Sequence, residues 1–157
     1  MSRTDGFRMG SWLSGPEPEP TAQDGYPGKD LGFPQYGPGS LAFTGRRVAA
    51  LLIDWLIGYG LAGLAMKFGL IPQAALSTAV LAVWFVIGVV ALPLFGFTPG
   101  QLALGLTVIP VDGARRVGVI RALVRGLLVA LVVPPLFTDT DMRGLQDRVT
   151  GTAVVRR

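Results

Sequence analysis

Three apolar runs, set apart by short polar connections, dominate the chain after residue 47. The first, Val48 to Met66, holds 19 residues and one charge, Asp54. That is about the length a helix needs to cross a hydrocarbon core of roughly 30 Å. The second, Ala74 to Phe97, has 24 residues and no charge; Pro93 near its end is tolerable there as a kink. The third, Val117 to Phe137, is interrupted by Arg121 and Arg125 and broken by Pro134-Pro135, so only the 12 residues from Gly126 to Phe137 are free of charge. The pattern predicts helices over about 47–66, 74–97 and 118–137. The third is either a tilted span or a segment that dips into the membrane and returns. Two short β-branched runs beside glycines, Leu106 to Val111 (LTVIPV) and Thr152 to Arg156 (TAVVR), read as strands. An isolated strand is unstable, so the two are expected to pair, which a re-entrant third segment would allow by putting both on one membrane face. The fold class expected is an all-α membrane protein with three hydrophobic helices and a small two-stranded cytoplasmic β element.

Residues 1–41 follow a different rule. Up to Gly39 the chain carries six prolines and eight glycines, including the extended PEPEP run at Pro16 to Pro20. Such a composition cannot bury enough apolar surface to offset ordering, and it predicts a disordered tail. No apolar stretch follows the first arginine, so the start reads as tail and not as a leader. A membrane domain over 42–157 remains.

Composition narrows the chemistry. Half of the 157 residues are hydrophobic, mean hydropathy is +0.52, and 15% are charged, against about 25% in soluble domains. Cysteine and histidine are both absent, which removes disulfides, thiolate and imidazole metal sites, and the usual proton carrier at neutral pH. No serine nucleophile motif or metal-spaced carboxylate cluster stands out, so the expectation is neither an enzyme nor a cofactor carrier. The net charge of +4 divides unevenly, −2 over residues 1–43 and +6 over the remainder. The basic residues flank apolar runs, so anionic lipid headgroups, not nucleic acid, are the expected partner. Arg46-Arg47 and Arg115-Arg116 then put the N-terminus and the second connection in the cytoplasm. Arg143, Arg148, Arg156 and Arg157 want the same side, where three full crossings would not leave them.

Gly58-Tyr-Gly60-Leu-Ala-Gly63 matches the dinucleotide-binding G-x-G-x-x-G, but it lies inside an apolar helix with no strand before it, and it carries no such function. Gly58 with Ala62, and Gly126 with Ala130, are small-xxx-small pairs that permit close helix approach, within the chain or in a homo-oligomer. Asp54 is the residue most in need of explanation, since a carboxylate deep in a membrane helix costs several kcal/mol unless answered. Arg47 lies seven residues away, roughly 10 Å along the same face and too far to answer it. Arg121 and Arg125 share a face of the third helix. If both helices start at one surface, Asp54 lies about 12 Å deep and Arg125 about 10 Å, so an Asp54–Arg125 pair is expected. The alternative is that the arginines reach to the headgroups and Asp54 is protonated.

Three blocks together resemble the RDD family: Arg46-Arg-Val-Ala-Ala-Leu-Leu-Ile-Asp54, Gly96-Phe-Thr-Pro-Gly-Gln-Leu-Ala-Leu-Gly105 with its Thr98-Pro99-Gly100 loop, and Gly144-Leu-Gln-Asp-Arg-Val-Thr-Gly-Thr152. The tail looks like an actinobacterial version. The resemblance maps the family's Arg and two Asp onto Arg47, Asp54 and Asp147. Gln101 and Gln146 depart from the Lys and His usual at those positions. The resemblance implies a small bacterial membrane protein. Two functions stay open. One is transport of ions or small solutes by an oligomer, along a path containing the buried Arg and Asp. The other is a non-catalytic membrane subunit or assembly factor whose charges lock helix packing and whose Pro-rich tail recruits a membrane partner.

Overall fold

The computed structural model describes residues 25–131 and 143–157. The Pro-Glu run of the tail, the Pro134-Pro135 bend and the far end of the expected third helix lie outside them.

Helix α1 (Thr44–Lys67) runs 24 residues, about 36 Å. Its buried positions are Ala50, Asp54, Gly58 and Ala62, a stripe at i+4 spacing that falls on one face. Helix α2 (Leu76–Phe95) follows a single 3-10 turn at Gln73–Ala75 and packs along α1. The stripe explains how closely. A methyl group on Gly58 would lie 3.2 Å from both the Trp84 Cβ and the Val80 carbonyl oxygen. The Gly58–Ala62 pair therefore serves packing within the chain, α1 against α2. These are the two helices long and apolar enough to cross a membrane among the described residues.

Beyond α2, the short helix α3 (Pro99–Ala103) leads into strand β1 (Leu106–Pro110), and helix α4 (Val119–Ala130) returns along α2. Gly126 is the contact there: an added Cβ would meet Phe85 Cε2 at 3.0 Å. Ala130, the other residue of that small-xxx-small pair, is only partly buried. The described helix has 12 residues, about 18 Å, so a third membrane-length helix is not part of the described fold. A short helix α5 (Leu145–Val149) and strand β2 (Thr152–Arg156) complete it.

The two strands pair as their sequence predicted, antiparallel, with Leu106 opposite Arg156 and Pro110 opposite Thr152. One face of the ribbon buries Leu106, Val108 and Val154 with Ala42, Ala50, Leu92, Val117 and Ala122. The other holds Ala153 and Val155 against Leu41, Phe33, Ile109 and Val111. Period-2 alternation places each set. The free edge of β2 is covered in turn. The Gly39 amide donates to the Arg156 carbonyl at 2.8 Å, and the Ala42 amide to the Val154 carbonyl at 2.9 Å. Residues 25–41 thus do not behave as the solvated tail expected of them. Phe33, Leu41 and Ala42 supply enough apolar surface to fasten the segment, and β2 gives its backbone partners.

Candidate functional site

The expected signature residues form two constructions, both at the ribbon end of the α1–α2 hairpin. The first centres on Asp147, in α5, whose side chain is fully buried. Arg47, in the first turn of α1, donates to one carboxylate oxygen at 2.9 Å. Arg125 of α4 forms an ion pair with the other oxygen. Both guanidinium groups are at least nine-tenths buried. They also reach the ribbon: Arg47 to the Val154 carbonyl at 3.4 Å and Arg125 to the Thr152 hydroxyl at 3.4 Å. Arg143 ties the turn to the strand, donating to the Asp147 and Thr152 carbonyls at 3.2 and 3.0 Å. The Thr150 hydroxyl closes α5 on the Gln146 carbonyl at 2.6 Å. One carboxylate therefore joins α1, α4 and α5. Two charges taken out of water and paired add little net stability, but removing one partner costs about 3–5 kcal/mol.

The second construction centres on Asp54, and it overturns the expected Asp54–Arg125 pair. One Asp54 oxygen accepts from the Thr98 hydroxyl, and the other accepts from the Gly100 amide at 2.7 Å. Thr98 is the N-cap of α3: its hydroxyl accepts from the Gln101 amide at 3.3 Å, while the Gln101 side chain accepts from the Thr98 amide at 3.0 Å. Pro99 has no amide hydrogen to satisfy. Every orphan donor of this helix start thus has a partner, and Asp54 supplies the one that the capping box leaves over. Glycine is required at position 100, since a Cβ there would fall 2.1 Å from the Ala50 carbonyl oxygen. Arg125 is drawn to Asp147 instead. The Asp54 carboxylate is answered by neutral donors in a buried helix start, a solution that neither expected alternative contained.

Arg121, the other candidate partner, turns outward. It pairs with Asp112 in the exposed loop after β1, and this bond holds the Asp112 carboxyl down at about 2. Sequence reasoning also passed over Arg143, Thr152 and the capping role of Gln101. Thr98 with Gln101 is the S/T-x-x-E/Q capping signature and was readable. Arg143 bonds the Asp147 and Thr152 carbonyls, and the Thr152 hydroxyl meets the Arg125 guanidinium and the Thr150 hydroxyl; none of these contacts carries a sequence signature.

Two small cavities lie between α1 and α4. One, of about 50 Å³, is bordered by Asp54, Thr98, Gln101 and Arg125 against Leu51, Phe85 and Val129. The other, about 30 Å³, is bordered by Arg47, Gln101, Arg125 and Gln146. No group of three or more His, Cys, Asp or Glu among the described residues is arranged to hold a metal.

An apolar helix hairpin, capped at one end by a β ribbon and by buried charges, defines a small, mostly helical membrane protein. The chain belongs to the RDD family, whose model matches residues 41–151. No curated protein and no solved structure matches it.

Proposed function

We propose that the protein is a non-catalytic membrane subunit or assembly factor whose buried charges lock its own packing. One observation carries this reading: each expected signature residue is spent on an internal fastening. Asp147 holds Arg47 and Arg125, and Asp54 holds the start of α3. The two span-length helices among the described residues are too few walls to enclose a solute path, and the two cavities beside Asp54 and Arg47 are small. The outward surface then serves contact with lipid and with a partner: Leu52, Trp55, Leu56 and Tyr59 on α1, and Ile120 and Leu127 on α4, all lie 47% or more exposed.

Transport by an oligomer is the second reading, favoured by the position of Asp54 and Arg125 on one cavity wall. Reconstituted in proteoliposomes, the wild-type chain is expected to give no flux of alkali cations, protons or small organic ions above that of empty vesicles. Flux that Asp54→Asn abolishes, with the fold retained by circular dichroism, would reject the subunit reading.

We also infer the plasma membrane, with both chain ends of the described body on the cytoplasmic face. The support is that Arg46, Arg47, Arg115, Arg116, Arg143, Arg148, Arg156 and Arg157 belong to the ribbon end, while Lys67 closes the far end of α1. Arginine excess marks the cytoplasmic side.

A further inference from the structure

Arg115 and Arg116, in the loop before α4, are exposed, and neither pairs with a carboxylate among the described residues. Asp112, the one acidic residue of that loop, is taken by Arg121. The Arg116 guanidinium donates to the Leu94 carbonyl, in the last turn of α2, at 3.3 Å. Just after it, Gly118 is the N-cap of α4. Arg116 thus stands where α2 ends and α4 starts. From there α4 runs back along α2, with Ala122 in one core cluster with Leu92, and Gly126 against Phe85 and Val89. Successive helix residues turn by about 100°, so each contact residue separates two flanks. Trp84 precedes Phe85 and Arg125 precedes Gly126, and both border the cavity toward α1. Val86 and Leu127 follow the same contact residues and fall on the opposite flank. Val90 and Leu94 continue the α2 row, and Leu123 and Val119 continue the α4 row, at four-residue spacing. All six side chains are apolar and at least 42% exposed. Each row is about 12 Å long, close to the roughly 15 Å of hydrocarbon in one leaflet.

We propose that this outer flank of α2 and α4 binds one net-anionic phospholipid from the leaflet at the ribbon end. Its phosphate lies on Arg115 and Arg116, and its acyl chains lie along the Val86–Val90–Leu94 and Val119–Leu123–Leu127 rows. Charge chooses the occupant. Two arginines without a counter-ion, set at the head of two apolar rows, match a ligand that is anionic at one end and apolar for the depth of one leaflet. A guanidinium engages a phosphodiester through paired N–H donors. A zwitterionic lipid would bring its own ammonium to the same two arginines and lose that advantage. The proposal rests on the outward surface facing lipid and not on the subunit role, which the flux measurement tests separately.

The test is native mass spectrometry of the full chain, released from detergent and titrated with defined phospholipids. Phosphatidylglycerol is expected to form one adduct at a lower concentration than phosphatidylcholine with the same chains. Arg115→Gln with Arg116→Gln should weaken that adduct about 25-fold, at roughly fivefold for each arginine near a lipid surface, and bring the two lipids level. If the double variant fails to fold, Arg115→Gln alone, at a side chain with no hydrogen bond or ion pair to lose, should give the single fivefold step. Arg156→Gln with Arg157→Gln removes the same charge from the same end of the molecule and should leave the adduct unchanged. Equal losses from the two arginine pairs would mean diffuse attraction to surface charge and would overturn the site. No preference between the two lipids would overturn it as well. So would displacement of the bound lipid by glycerol phosphate, a headgroup without acyl chains, because the apolar rows would then contribute nothing.

Discussion

At the scale of single residues, glycines with the same composition value have opposite meanings. Gly100 meets the Ala50 carbonyl, whereas Gly60, on the outer face of α1, has nothing within 4 Å of its would-be Cβ. Gly100→Ala must push α3 away from α1 and break the Asp54–amide bond, and overpacking of this kind costs about 1–3 kcal/mol or more. Gly60→Ala should be neutral or stabilising by up to about 1 kcal/mol, through helix propensity alone. Thermal unfolding of the two variants in the same detergent checks the pair, and equal melting temperatures would contradict the close approach. The sequence marked Thr98, Pro99 and Gly100 as a motif but not as a partner for Asp54. That contact spans 46 positions, and nothing in the spacing of the residues reports it.

At the scale of elements, much was readable from periodicity and some was not. Helices α1 and α2 and both strands follow from hydrophobic pattern and β-branching. The pairing preferences among the buried charges were not readable, because they depend on which carboxylate stands beside Arg125 in three dimensions. Depth along two helices matched Asp54 to Arg125, but depth ignores azimuth and ignores the donors that α3 brings in. The same reasoning predicts how the Asp147 cluster responds to damage. Asp147→Leu should destabilise by about 3–5 kcal/mol, since it strands two buried guanidinium groups. Adding Arg47→Met and Arg125→Met should restore most of that, because apolar replacement of a whole buried ion group can be nearly neutral. Denaturation of the single and triple variants decides the matter, and additive losses would show that the three side chains are not coupled.

At the scale of the whole molecule, the ribbon places the segments before α1 and after α4 together. Leu41 bridges to Val155, and the Arg156 amide donates to the Ser40 carbonyl at 2.9 Å. If the ribbon lies in the cytoplasm, single cysteines at Lys29 and Val149 should resist a membrane-impermeant thiol reagent on intact cells, while one at Gln73 should react. The native chain has no cysteine to confuse the result. Labelling at Val149 with protection at Lys29 would mean that the two sites lie on opposite sides and that the paired ribbon does not form in the membrane. That outcome would also dissolve the Arg47–Asp147 bond.

The separation of that bond has a consequence for how the protein is made. Arg47 and Asp147 are 100 positions apart. At synthesis rates of about 5–20 residues per second, Arg47 is built roughly 5–20 s before its counter-ion exists. Through that interval α1 sits in or near the membrane with its guanidinium unanswered, and Asp54 waits a shorter time for α3. Strand β2 follows Asp147 and seals the ribbon, so the charges and the sheet mature in one late event. A chain stalled before Asp147 would leave the Arg47 and Arg125 guanidinium groups without the carboxylate they share.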